Sequence, residues 1–207
     1  MGLKGWLDAL LGRTRLVPAK PEQLFALTTA RPTIEQALGW EPAGRAGLCL
    51  KPVLTGDYAD AQQELAQLVR LGARETETRA EVQRDGYGYT WILLEDREFE
   101  DLLTLVHMAA STLEEKGYGT QILSAVFRFR PGPRVVAASG PDAPQRLYLI
   151  YNYKRGRFYP FVPKGTGSGP ASGRHESGEL QAASLLARDL PTEPDPARWY
   201  PIWDCPV

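Results

Sequence analysis

Hydrophobic residues recur along this chain at two spacings, and each spacing predicts one kind of element. A period close to 3.6 residues, typical of amphipathic helices, covers the segments 3–11, 57–71, 98–116 and 176–190. Strand-like runs, most of them with a period of two, cover the segments 46–53, 79–83, 89–93, 121–130, 134–138, 146–154 and 158–162. The pattern therefore predicts helices and strands that are interspersed along the chain.

Turn and capping residues mark several element boundaries. Asp85 and Gly86 stand between two alternating runs and predict a hairpin of antiparallel strands. Thr33 and Gln36 have the spacing of a capping box, which predicts a short helix that opens at Thr33. Gly39 is the residue expected to end that helix.

Two of the longer helices have well-defined boundaries and faces. The segment 98–116 has acidic residues in its first turn and Gly117 directly after its last, as expected of a helix start and stop. In the segment 176–190 one apolar stripe is predicted to face inward. Its members are Leu180, Ala183, Ala187 and Leu190.

The order of the elements predicts the fold class. The strands and helices lack the regular strand–helix–strand rhythm of a doubly wound parallel sheet. We therefore expect an α+β fold, with a largely antiparallel sheet packed by helices in a single domain over 17–207, and a short amphipathic N-terminal helix within 1–16. Residues 165–173, rich in Gly and Ser, are expected to form a flexible loop. The tail 191–207 carries four large apolar residues and should pack back onto the domain.

Composition limits the class of protein. The chain has 207 residues, 43 % of them hydrophobic and 24 % charged, which is typical of a soluble globular protein. Its apolar runs are much shorter than the roughly 20 residues of a membrane-spanning helix, and its start does not resemble a secretory signal, so we expect a cytoplasmic protein. Cys49 and Cys205 are too far apart in sequence to predict a metal cluster or a disulfide framework, and Cys49 is expected to be buried for structural reasons.

The densest positive charge lies between residues 128 and 174, where nine Lys or Arg residues face one acidic residue, Asp142. Within this stretch the run 148–161 mixes aromatic and cationic side chains, a combination that suits a surface for an anionic partner. The residues assigned to this partner-binding hairpin are Tyr151, Tyr153, Lys154, Arg155, Arg157, Phe158 and Tyr159. The alternative is a half-buried hairpin whose cations lie on a solvated face.

The N-terminal helix has an apolar stripe with basic residues at its border. The residues assigned to it are Leu3, Lys4, Trp6, Leu7, Leu10, Leu11, Arg13 and Arg15. Such a helix can lie at the surface of an anionic membrane, which it would bind weakly because it is short. It can equally pack onto the domain or onto a helix of another protein.

The sequence gives little support for a catalytic function. The segment 164–169 is rich in glycine but lacks the Gly-Lys-Ser/Thr ending of a phosphate-binding loop. The two histidines, His107 and His175, have no neighbouring ligands at metal-binding spacing; His107 is expected to be structural and His175 solvated. No nucleophile and base can be paired, so the sequence predicts no enzyme, no cofactor and no metal.

Four motifs appear in an order and spacing that resemble the PspA-associated protein PspAB family. They are the segments 10–15, 117–123, 151–161 and 190–203, of which the run Lys154 to Phe161 and the ending Arg198-Trp199-Tyr200-Pro201 are the most specific. The resemblance spans the chain from its first turn to its end. It implies a small cytoplasmic protein linked with the phage-shock, or envelope-stress, system and its membrane-remodelling protein PspA, and it implies no catalytic residues.

The expected function is therefore that of a non-enzymatic adaptor that binds an acidic protein partner, such as a PspA-like coiled coil, through the basic aromatic hairpin. A peripheral membrane-binding module is the alternative. A nucleic-acid-binding protein is disfavoured by the pI of about 6.2, and a hydrolytic enzyme would need a polar pocket that the sequence does not indicate.

Overall fold

The computed structural model of this chain describes residues 21–51, 77–138, 144–165 and 173–207. The predicted helices over 3–11 and 57–71 and most of the predicted flexible loop lie outside these residues.

The described residues form one six-stranded sheet with helices packed against it, which confirms the predicted α+β class. The strands are β1 Trp40–Leu50, β2 Arg79–Arg84, β3 Thr90–Glu95, β4 Ile122–Pro131, β5 Leu147–Asn152 and β6 Arg157–Phe161. Their order is β2-β3-β1-β4-β5-β6, and every neighbouring pair is antiparallel. The helices are α1 Ala26–Pro32, α2 Phe99–Glu115, α3 Pro133–Ala138 and α4 Glu176–Leu186, with shorter helical turns at Pro21–Phe25, Thr33–Leu38, Gly119–Gln121 and Pro196–Arg198.

The predicted hairpin between β2 and β3 is confirmed, and Asp85 explains why the turn forms there. One carboxylate oxygen of Asp85 accepts the backbone N–H groups of Tyr87 and Tyr89, each at 2.9 Å, and the other accepts the indole N–H of Trp91 at 2.9 Å. Gly88 has a φ of +87°, which favours glycine. The side chain thus satisfies turn amides that the two strands leave without a ladder partner.

The main core lies between one face of the sheet and α2, which crosses β1, β3 and β4. The predicted helix is confirmed with its bounds at Phe99 and Glu115, and Gly117 follows it with a φ of +83°. Phe99 packs against the rings of Phe127 and Phe129, with centroid distances of 5.9 and 5.7 Å.

The C-terminal tail covers the opposite face of the sheet, as the apolar residues of the tail predicted. Trp199 and Val207 are buried there in a cluster with residues of β1, β3, β4, β5 and β6. Gly47 makes this close approach possible, since a Cβ at this position would lie 2.6 Å from a methyl carbon of Val207. Both faces of the central strands are therefore buried.

Two features of the element boundaries differ from the sequence prediction. The segment 134–138 is not a strand but part of α3, because the pairing of β4 ends at Pro131 and Pro133 is tolerated in the first turn of a helix. A helical segment does begin at Thr33, as predicted, but it continues directly from α1 without a capping box, because the hydroxyl of Thr33 donates to Asp189 at 2.6 Å. Gly39 ends that run with a φ of +76°, as predicted.

The last helix is shorter than predicted and presents a different face. α4 ends at Leu186. Of the four residues predicted to face inward, Leu180 is 53 % exposed and Ala187 is exposed, whereas Ala183 is half-buried and Leu190 is buried as predicted. Glu179 takes the inward position because its carboxylate has buried polar partners, described below. Charge pairing thus overrides the apolar stripe.

Candidate functional site

The four aromatic residues of the predicted partner-binding hairpin lie in the interior. Tyr151, Tyr153, Phe158 and Tyr159 are all buried, and the first three belong to the main core. The ring of Tyr151 packs on Phe158 at 4.8 Å and on Tyr153 at 4.9 Å. These side chains therefore fix the shape of the hairpin and are not exposed to a partner.

The three cations of the hairpin sit at the turn between β5 and β6, and two of them hold the tail. Arg157 is exposed and donates to the carbonyl oxygen of Thr192 at 3.0 Å. Arg155 is partly buried and lies 3.7 Å from the carboxylate of Glu193, which is itself buried. Lys154 is exposed at the tip of the turn. The excess of positive charge in the sequence is therefore partly offset in space by acids from distant segments.

A second ion pair holds the tail from the other side of β6. Arg174 and the buried Glu179 approach to 2.7 Å, and Glu179 also accepts the backbone N–H of Val162 at 2.8 Å. The same guanidinium donates to the carbonyl oxygen of Trp199 at 2.9 Å and lies over the ring of Phe161. These contacts fix the position at which the tail leaves the sheet.

The tail and the hairpins enclose a cavity of about 540 Å³, which we call the tail groove. Its floor comes from β1, β3 and β4, one wall from the β2–β3 turn, another from the β5–β6 turn and a third from residues 200–206. The lining residues used below are Cys49, Tyr87, Tyr89, Lys154, Tyr200, Trp203 and Cys205. The lining is mainly aromatic and aliphatic, with Lys154 as a cation at its edge, so the groove is built to accept apolar groups.

The polar groups of the tail groove are poorly suited to catalysis. Burial raises the pKa of the Cys49 thiol and of the Cys205 thiol to about 12, so neither is a nucleophile at neutral pH. The carboxylate of Asp85 is already engaged by two backbone N–H groups and an indole. No histidine lines the groove. Neither the two thiols nor Asp85 is thus an activated group for attack on a ligand in the groove.

We expect the protein to lose stability between pH 9 and pH 12. In the unfolded chain a thiol ionises near pH 9, whereas Cys49 and Cys205 keep their protons up to about pH 12 in the fold. Ionisation therefore favours the unfolded state as the pH rises through this window, while below pH 9 the contribution is fully present. Burial also raises the pKa of Tyr148, which acts in the same direction. The urea concentration at the midpoint of unfolding should fall as the pH rises from 9 to 12, and it should fall less steeply in a Cys49→Ala/Cys205→Ala variant. A midpoint that does not change with pH would contradict the burial of these groups.

The remaining candidate residues have structural surroundings or lie outside the described residues. His107 packs its ring against Phe25. His175, expected to be solvated, is half-buried and caps α4 by accepting the N–H of Gly178 at 3.0 Å. Within the described ranges no His, Cys, Asp or Glu residues cluster as metal ligands, and no helix has the length and apolarity to cross a membrane. The residues assigned to the N-terminal helix, 3–15, lie outside the described part of the chain.

Sequence reasoning missed most of the tail groove. Tyr87 and Tyr200 are 72 % and 55 % exposed, although they are large aromatic residues. They are 113 positions apart in the sequence, and only the docking of the tail beside the β2–β3 turn brings them to one cavity. The aromatic content of both segments was visible, but no local pattern indicated that they meet.

Comparison with known proteins gives one match. A family model described as PspAB, PspA associated protein B, matches residues 4–207. No curated protein and no solved structure is significantly similar to the chain.

Proposed function

Because this chain belongs to the PspA associated protein B family, we propose that it is a non-enzymatic accessory protein of a PspA-type envelope-stress, or phage-shock, system. The family description names an association with PspA. An accessory role also agrees with the chemistry of the tail groove, whose thiols are protonated and whose carboxylate is engaged by the turn. Under this proposal the protein works in the cytoplasm or at the inner face of the cell membrane.

The partner surface that we propose is the tail groove together with the adjoining turn between β5 and β6. The observation that supports it best is the group of exposed tyrosines, Tyr87, Tyr89 and Tyr200, at an apolar cavity. Exposed tyrosine beside a hydrophobic pocket is typical of residues that dominate binding energies at protein interfaces. This surface replaces the buried aromatics of the hairpin as the aromatic part of the contact.

The positive charge at the turn between β5 and β6 favours a partner that carries carboxylates. Lys154 lies at the edge of the groove, and Arg157 is exposed close to it in sequence. A partner with an apolar side chain for the groove and carboxylates beside it would match both features. We therefore propose an acidic helical segment of PspA as the occupant.

The test is capture of purified PspA from the same host. Arg155 is left unchanged, because Glu at this position would face the buried Glu193 and unfold the turn for reasons unrelated to binding. The variant Lys154→Glu/Arg157→Glu should bind about tenfold more weakly or worse, because it repels carboxylates. The variant Arg84→Glu/Arg188→Glu, with the same change in net charge at exposed positions, should bind like the wild type. Equal affinity of both folded variants would remove the turn from the interface.

Contact with an anionic membrane through the N-terminal residues, with Lys4, Arg13 and Arg15 at the headgroups, stays a prediction. No nucleic-acid partner is expected from the chemistry of the tail groove, because Lys154 is the only Lys or Arg among its lining residues, and a phosphate backbone needs several cations.

A further inference from the structure

A second concave surface, away from the tail groove, gathers arginine side chains from α1, β4, α3 and the connection between β3 and α2. It has a volume of about 540 Å³ and shares no lining residue with the tail groove. Its charged residues are Arg31, Glu35, Glu41, Arg97, Arg130 and Arg134. We call it the arginine groove. Four guanidinium groups face two carboxylates in the lining, and Glu100, which also binds Arg31, adds a third, which leaves an excess of one positive charge in a protein whose net charge is −1.

One wall of the arginine groove is held rigidly by Arg31. Its Nε donates to Glu35 at 2.7 Å, and one terminal nitrogen donates to both carboxylate oxygens of Glu100, at 2.9 and 3.1 Å. The guanidinium also lies over the ring of Phe99. Arg31 is thus fixed before any ligand arrives, which lowers the entropy that binding must cost.

The opposite wall is fixed as well. Arg130 donates to Glu41 at 3.2 Å, and Arg134 donates to the carbonyl oxygen of Gln36 at 2.8 Å. Beneath them the N–H of Gly132 donates to the carbonyl oxygen of Gly39 at 2.9 Å, and a Cβ at Gly132 would lie only 2.7 Å from that oxygen. The floor of the groove is therefore closely packed backbone.

Arg97 completes the groove from the connection between β3 and α2. Its side chain is exposed, and within the described residues it has no hydrogen bond or ion pair. Arg130 and Arg134 also use one guanidinium nitrogen each in the hydrogen bonds above, so further N–H groups remain to bind an acceptor.

We infer that the arginine groove binds a protein segment that carries several carboxylates in series. Planar guanidinium groups match carboxylates in bidentate pairs, and groups spread over four separate segments fit an extended row of acids better than one compact anion. Glu35 and Glu41 are bound to Arg31 and Arg130 and interrupt the positive charge, so acids separated by neutral residues fit the groove better than a continuous phosphate backbone. Apart from two prolines, the lining offers no apolar side chain that could enter a lipid surface. The inference concerns a separate surface and does not depend on the proposed function.

The experiment measures binding of a fluorescein-labelled 20-residue peptide of repeating Glu-Glu-Ala-Ala sequence by fluorescence anisotropy. The wild-type protein should bind it, and binding should weaken as salt is added. The variant Arg97→Glu/Arg134→Glu should lose about tenfold or more in affinity, since each substitution puts a carboxylate against the peptide. A peptide with Gln in place of Glu should not bind. The variant Arg84→Glu/Arg188→Glu is the control with the same net charge.

The outcomes separate the sources of negative charge. A loss of peptide affinity in the variant Arg97→Glu/Arg134→Glu alone supports the inference, provided that the melting temperature of this variant stays close to that of the wild type. Three outcomes would overturn it: no binding of the acidic peptide, an equal loss of affinity in the control Arg84→Glu/Arg188→Glu, or a loss of affinity only in the turn variant Lys154→Glu/Arg157→Glu. Tighter binding of pyrophosphate, of a 20-nucleotide RNA or of anionic vesicles than of the peptide, at the same arginines, would overturn the choice of ligand.

Discussion

Replacing Phe158 by alanine is expected to lower the free energy of unfolding by about 3–5 kcal/mol. The side chain is fully buried in the main core and packs its ring 4.8 Å from that of Tyr151. Its removal would leave a cavity between β5, β6 and the helices behind them, which the closely packed surroundings can fill only in part. Urea unfolding measures the loss.

The matched control is Tyr87→Ala, which removes an aromatic residue that is 72 % exposed at the tail groove. Its cost in stability should stay within about 0.5 kcal/mol, while capture of PspA should weaken. The opposite pattern, a stable Phe158→Ala protein that fails to capture PspA, would mean that the hairpin aromatics bind the partner directly and that they are not core residues.

Replacing Arg174 by alanine, in a separate variant, is expected to lower the free energy of unfolding by about 3–5 kcal/mol. The substitution leaves the carboxylate of Glu179 buried without its cation and removes the donor to the carbonyl oxygen of Trp199. The tail should loosen, because both contacts lie where it leaves the sheet. Stability and the fluorescence of the tail tryptophans report the two effects.

Arg188→Ala is the control for charge and length, since Arg188 is exposed after α4, and it should change stability by less than about 0.5 kcal/mol. Glu179→Ala should be as harmful as Arg174→Ala, because it leaves the N–H of Val162 without an acceptor. A cost below about 1 kcal/mol for Arg174→Ala would show that the pair does not hold the tail.

The elements that were predicted well from the sequence are those whose start, stop or turn residues lie within the element or next to it. The acidic start and the glycine stop of α2, and the Asp85 turn with its alternating strands, require no knowledge of distant residues. The start of β1 was not predicted, for two reasons. The register shifts between Pro42 and Arg45, which breaks the alternation of apolar and polar residues. The first half of the strand also contains proline and glycine, which are rare inside strands.

The predicted binding hairpin shows why the site was harder to predict than the fold. In the run 148–161 aromatic residues point to both faces of the sheet: Tyr151 and Phe158 to the main core, Tyr148 and Phe161 to the core under the tail. A strand that is apolar on both faces is typical of a sheet covered on both sides, and this could have indicated burial. The partners of Arg155 and Arg174 depend on how the tail docks, and no local pattern contains that information.

The most direct test of the proposed function is hydrogen–deuterium exchange of the protein with and without bound PspA. The account predicts slower exchange on binding at residues 85–89, at the turn 152–157 and at residues 200–206, which together surround the tail groove. Slower exchange only around Arg97 and Arg134 would assign the partner to the arginine groove and contradict the tail groove. If PspA forms no complex with the protein, the central claim of a PspA-binding accessory protein is wrong.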